Sequence, residues 1–85
     1  MNSTEIKTTA ETLASQPVGR RLKIAGYSLP DDVEQRLLEM GLTIGTECIV
    51  MRYAPLGDPM ELKVRGYFLS LRKSEAEGVR VHPIG

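Results

Sequence analysis

Reactive side chains are scarce in this sequence. One histidine, His82, and one cysteine, Cys48, stand among 85 residues, so neither a His-based dyad nor a CxxC or HxxxH metal pair can be written. A lone cysteine makes no internal disulfide, and the fold is not built for an oxidising compartment. Tryptophan is absent and phenylalanine occurs once, which leaves an aliphatic core. No apolar run nears the ~20 residues of a membrane-spanning helix, and the opening MNSTEIKTTAETLASQ lacks the apolar centre of a signal peptide. A soluble, cytoplasmic chain without direct membrane insertion is expected. Charge of one sign is missing too. Eleven basic residues balance eleven acidic ones, without the basic excess of a nucleic-acid-binding domain, and no nucleic-acid partner is expected.

What is present is organised around residues 52–76. Met60, Leu62 and Val64 alternate with Glu61, Lys63 and Arg65, the period of two that puts one strand face in a core and the other in water. Arg65-Gly66 is a plausible hairpin turn, since glycine accepts the positive φ that a tight connection demands. Beyond it Tyr67, Leu69 and Leu71 share one face, and Phe68, Ser70 and Arg72 the other; Phe68 leaves open which of the two is buried.

Upstream, residues 1–16 are polar and read as a loosely ordered lead-in or a short helical turn, with Leu13 and Ala14 able to pin one turn onto a domain spanning 17–85. Leu22 and Ile24 define the inner face of a first strand from Arg20 to Ala25, ended by Gly26. Ser28 or Asp31 fits an N-cap followed three residues later by an acid, and Leu29 could staple against Val33. Val33, Leu37, Leu38 and Met40 then form an apolar stripe at helical spacing over about 31–40, with Gly41 as the terminator. Such a short helix needs a sheet to dock on. Thr43 to Thr46 reads as a type II turn around Gly45. Residues 47–54 are apolar on both faces, as a central strand covered on both sides would be. A helical turn at about 73–77 and a last strand through Val79 and Val81 complete the order, with 82–85 as a tail. The expected fold is mainly β: a small SH3-like barrel of about five strands, strongly bent so as to hide its edges, with one inserted α-helix.

The candidate chemistry is thin. Cys48 alternates with Val50 and reads as a small buried apolar residue, and His82 as a surface residue. Met40, Met51 and Met60 read as core filler rather than a soft-metal site, and Asp31, Asp32, Glu34 and Glu39 as a solvated helix flank that would hold a hard cation weakly at best. No enzymatic activity and no tightly held cofactor are expected; Fe2+ or Mn2+ binding, if any, is weak. One segment stands out. Ala54-Pro55-Leu56-Gly57-Asp58-Pro59 carries a leucine at the tip of a loop stiffened by two prolines. Stiffness lowers the entropy cost of holding a shape for a partner. Leu56 is either a lid folded onto the barrel end or a contact residue, and Asp58 can cap the loop's own turn.

RLLEMGLTIGTE at 36–47, APLGDP at 54–59 and VRGYFLSLRKSEA at 64–76, in this order and spacing, resemble the FeoA family over about 19–81. The resemblance implies an SH3-like barrel with an inserted helix, similar also to the C-terminal barrel of iron-dependent repressors. It further implies a non-catalytic accessory role in ferrous iron uptake, through the cytosolic GTP-binding region of an FeoB-type permease. The partner surface expected from this reading comprises Pro55, Leu56, Gly57, Asp58 and Pro59, together with Met40 and Arg72. The alternative is a metal-sensing barrel that binds a divalent ion itself. Ile44 stands where the family turn usually has proline; with Gly45 kept, the same turn is expected.

Overall fold

A computed structural model describes residues 11–84 of the chain; expectations for residues 1–10 lie outside them. Six antiparallel strands form one sheet in the order β1-β6-β2-β3-β4-β5: β1 (Glu11–Thr12), β2 (Arg21–Tyr27), β3 (Glu47–Tyr53), β4 (Met60–Val64), β5 (Tyr67–Leu71) and β6 (Val79–Pro83). Helix α1 (Asp31–Glu39) joins β2 to β3, and a single turn, α2 (Lys73–Ala76), joins β5 to β6. The inward residues of β2 to β6, among them Leu22, Ile24, Val50, Leu62, Leu71 and Val81, make one aliphatic core with Leu37 of α1. Two register shifts, at Ile24/Gly26 in β2 and Val50/Arg52 in β3, bend the sheet around it.

The hairpin has the expected register, Val64 opposite Tyr67 and Met60 opposite Leu71. Both turn residues take positive φ, +49° at Arg65 and +93° at Gly66, the combination that suits the twist of a two-residue hairpin. The buried face is that of Leu69 and Leu71, and Phe68 points out to solvent. The turn at Gly45 (φ +92°) also forms as expected, with the Thr46 N–H on the Thr43 carbonyl at 3.0 Å.

Several boundaries differ from the sequence reading. The first strand runs through Gly26 to Tyr27, because the bulge lets Gly26 and Tyr27 pair with Arg80 and Val79. His82 and Pro83 belong to β6, paired with Lys23 and Leu22. In β3, Met51 falls at the register shift and is 38 % exposed, so the second face of that strand is not covered by the helix. The sheet also keeps two edges, β1 and β5, among the described residues. Upstream of Pro17, Glu11 and Thr12 pair with Val81 and Arg80, and a 3₁₀ turn at Leu13–Ser15 inserts Leu13 into the core. The Tyr53 hydroxyl holds that turn by donating to the Gln16 carbonyl.

Helix α1 starts at Pro30 without a side-chain cap. Ser28 does not serve as one: its hydroxyl accepts from Arg80 Nη2 at 2.6 Å. At the other end Gly41 (φ +102°) completes a Schellman motif, with the Gly41 N–H on the Leu38 carbonyl at 3.0 Å and the Leu42 N–H on the Leu37 carbonyl at 3.1 Å. Leu37 and Leu42 are thereby buried together. The Tyr67 hydroxyl donates to the Met40 carbonyl (2.6 Å) and the Tyr27 hydroxyl to the Leu42 carbonyl. Burial, with Glu34 and Cys48 adding to it, pushes the Tyr27 hydroxyl up to about 12, so it remains a donor at neutral pH.

Leu13→Ala empties a fully buried site and should cost about 2–5 kcal/mol in urea denaturation; a loss under ~1 kcal/mol would show that the segment before Pro17 is not part of the core. Gly41→Ala forces a β-carbon against the Tyr67 hydroxyl as well as a positive φ. Its cost should exceed the ~1–2 kcal/mol of the backbone conformation alone, and Tyr67→Phe in the same chain should return part of it.

Candidate functional site

The loop between β3 and β4 is built by its own backbone. The Gly57 N–H donates to the Ala54 carbonyl at 2.7 Å, a turn with Pro55 and Leu56 at its centre, and the Ala54 N–H donates to the Pro59 carbonyl at 2.9 Å. Proline presets φ for the first central position of such a turn. Gly57 follows with φ +85°, and the Asp58–Pro59 peptide bond is cis. The two backbone bonds close the loop into a knuckle with Leu56 at its tip, 95 % exposed. The lid reading is thus overturned, because the leucine touches no part of the barrel end that could bury it.

Asp58 does something the sequence did not suggest. Instead of capping its own turn, its Oδ1 accepts the Lys73 N–H at 2.9 Å, tying the loop to the start of α2. The neighbouring N–H, of Arg72, donates to Glu75 Oε1 at 3.1 Å. Two carboxylates therefore satisfy backbone donors at the beginning of α2 that its own turn leaves free. Glu75 also pairs through Oε2 with Arg36 of α1. Burial pushes the Glu75 carboxyl up, but the Arg72 N–H and the Arg36 and Arg72 guanidinium groups outweigh it and hold the group below the ordinary carboxylate value. Pairing an acid at the third position of α2 with its N-cap is a spacing visible in RKSE; the Arg36 partner, 39 residues away, has no local signal.

Of the seven residues expected at a partner surface, the structure brings six together. Asp58 and Pro59 line an open cleft of about 480 Å³ with Ser70, Leu71 and Arg72, and Pro55, Leu56 and Gly57 rise beside it on the same loop. Met40 lies apart. Its carbonyl meets Tyr67 at the turn end of the β4–β5 hairpin, whereas the loop sits at the opposite end, where Met60 faces Leu71.

Among the described residues little reactive chemistry converges. Cys48 is buried, and burial pushes its thiol up to about 11, so it is neutral and unreactive at physiological pH. His82 is exposed on β6 opposite Lys23. Among the described residues no three of His, Cys, Asp and Glu come together as a metal site, and no helix is long and apolar enough to cross a membrane.

The FeoA domain profile matches residues 11–83. The solution structure of the FeoA protein from Chlorobium tepidum is 36% identical, with a TM-score of 0.84 over 88% of this chain and 71% of that one. The FeoA of Stenotrophomonas maltophilia, crystallised with zinc and described as a prokaryotic SH3 domain protein proposed to activate ferrous iron transport, is 29% identical, with a TM-score of 0.73 over 85% of this chain and 89% of that one. A manganese-dependent transcriptional repressor shares the fold alone, at 13% identity and a TM-score of 0.80 over 88% of this chain and 42% of that one.

Glu75 makes stability pH-dependent with a definite sign. A carboxyl whose folded-state pKa lies below its unfolded value stabilises fully above the ordinary carboxylate pKa, and that contribution is lost as pH falls through the lowered value. The urea midpoint should therefore drop as pH falls through and below the ordinary carboxylate range, and Glu75→Gln should flatten part of that drop. An acid limb identical in mutant and parent chain would remove Glu75 from the account.

Proposed function

The chain belongs to the FeoA family, and we propose that it acts as a cytoplasmic, non-catalytic accessory protein of ferrous iron uptake. Its β3–β4 knuckle docks on the cytosolic GTP-binding region of an FeoB-type permease. The observation that carries this reading is the geometry of Leu56. A leucine 95 % exposed at the tip of a loop closed by its own backbone bonds contributes nothing to the fold. A few apolar anchors of this kind usually dominate the energy of a contact.

The supports around it agree. Asp58 fixes the loop against α2, so the knuckle is presented in one orientation and little entropy is lost on binding. Arg72, exposed beside it, supplies the charged rim that orients a partner. The buried, protonated Cys48 and the exposed His82 do not make a nucleophile–base pair with each other, which agrees with a non-catalytic role. Direct metal sensing finds no three-ligand donor set among the described residues from which to start.

Leu56→Arg should leave the urea midpoint within about 0.5 kcal/mol of the parent chain, as surface substitutions do. Its binding to the purified GTP-binding domain should weaken by roughly tenfold or more, with a matching loss of ferrous iron uptake in cells that depend on this protein. Unchanged binding and uptake in a stably folded mutant would refute the docking role of the knuckle.

A further inference from the structure

The sheet ends at β5, and among the described residues that end has β4 on one side and no strand on the other. The two-residue turn fixes which backbone groups are used. Val64 opposite Tyr67, Leu62 opposite Leu69 and Met60 opposite Leu71 are the pairs that exchange hydrogen bonds. Phe68 and Ser70 therefore turn their N–H and C=O groups towards the open edge.

Natural sheets defend such an edge with charge, proline, a bulge or a covering element. Among the described residues none of these protects β5. Its sequence is YFLSL, and its pairing with β4 runs without a register shift. Phe68 is 56 % exposed and Ser70 is exposed. The end of α1 meets the strand on its inward side, through the Tyr67 hydroxyl.

The flanking charges decide what the edge can accept. From Leu62 to Ser74 the chain holds four basic residues, Lys63, Arg65, Arg72 and Lys73, and no acidic one. The acids nearest the far end are occupied, Glu75 by Arg36 and the Arg72 N–H, and Asp58 by the Lys73 N–H. On the outward face Glu61, opposite Ser70, is also opposite Arg52. A second copy of the strand fits poorly: in an antiparallel pairing centred on Leu69, Arg65 of each copy falls opposite Lys73 of the other, and like charges directly opposite are destabilising.

We propose that the β5 edge is a docking site for an extended, acid-flanked segment of a partner protein, which adds to the sheet as a further strand. Its backbone pairs with Phe68 and Ser70, its apolar centre lies beside Phe68, and its acidic ends meet Arg65 at one end and Arg72 and Lys73 at the other. The site shares Arg72 with the rim of the knuckle cleft but does not rest on the docking role given to Leu56.

The test uses the full chain, labelled with 15N, and the peptide Asp-Glu-Val-Thr-Val-Thr-Val-Glu-Asp with blocked ends. Saturable shifts confined to residues around 66–72, with slowed amide exchange at Phe68 and Ser70, are the expected result. The counterpart with lysine at all four acidic positions should bind roughly tenfold more weakly or worse. Phe68→Lys and Lys73→Gln change exposed side chains only and should each weaken the acidic peptide severalfold, with unchanged urea midpoints. Leu56→Arg should bind it as the parent chain does. No saturable binding, equal affinity for both peptides, no protection at the two amides, or loss of binding in Leu56→Arg would each overturn the proposal. So would a concentration-dependent dimer that protects the same two amides without peptide.

Discussion

The corner from Met40 to Leu42 is the constraint on which the rest of this fold depends. Helix α1 has nine residues, too few to persist in water by propensity, and only Leu37 of its apolar stripe is fully buried. What holds it is its exit. Gly41 lets the chain reverse in a Schellman motif, which buries Leu37 beside Leu42, and two tyrosines from different strands donate to the carbonyls on either side of the glycine. Those carbonyls would otherwise be unpaired at a helix end. Glycine is required twice over, for its positive φ and because the Tyr67 hydroxyl occupies the place of a β-carbon.

The same economy runs through the other connections. In a chain with a thin aliphatic core, the helices and loops are held by single polar contacts to backbone groups: Tyr53 on the Gln16 carbonyl, Asp58 on the Lys73 N–H, Glu75 on the Arg72 N–H. Each satisfies a group that would be costly to leave unmade. Together they leave the tip of the knuckle and the outward face of β5 free of structural duty. Leu56 and Phe68 can be exposed because nothing in the core asks for them.

Local pattern explains why much of this was legible in the sequence. The period of two in β4 and β5, the stripe ending at Gly41 and the Gly45 turn each depend on residues within a few positions, so their signals are intact in the string. The misread boundaries share a different cause. Gly26 looked like a strand end because a bulge is invisible without its partner strand, and Met51 looked buried for the same reason, since the shift that turns it outward is a property of its pairing with β4. The tail at His82 and the segment at Glu11 became strands only because β6 passes between β1 and β2.

The candidate site divides along the same line. The knuckle was recognisable because prolines and an exposed-looking leucine are local features, but its orientation was not, because that is set by Asp58 reaching α2 across 15 residues. Leu56 illustrates the limit most clearly. Its sequence context is equally compatible with a lid and with a contact; what decides between them is whether any core surface lies within its reach. The loop's own hydrogen bonds, Ala54 to Pro59 and Gly57 to Ala54, close the knuckle away from the core, and the leucine is left facing solvent. A side chain that the fold does not use, carried on a backbone held in one orientation by bonds that the fold does use, is what a preorganised contact residue requires.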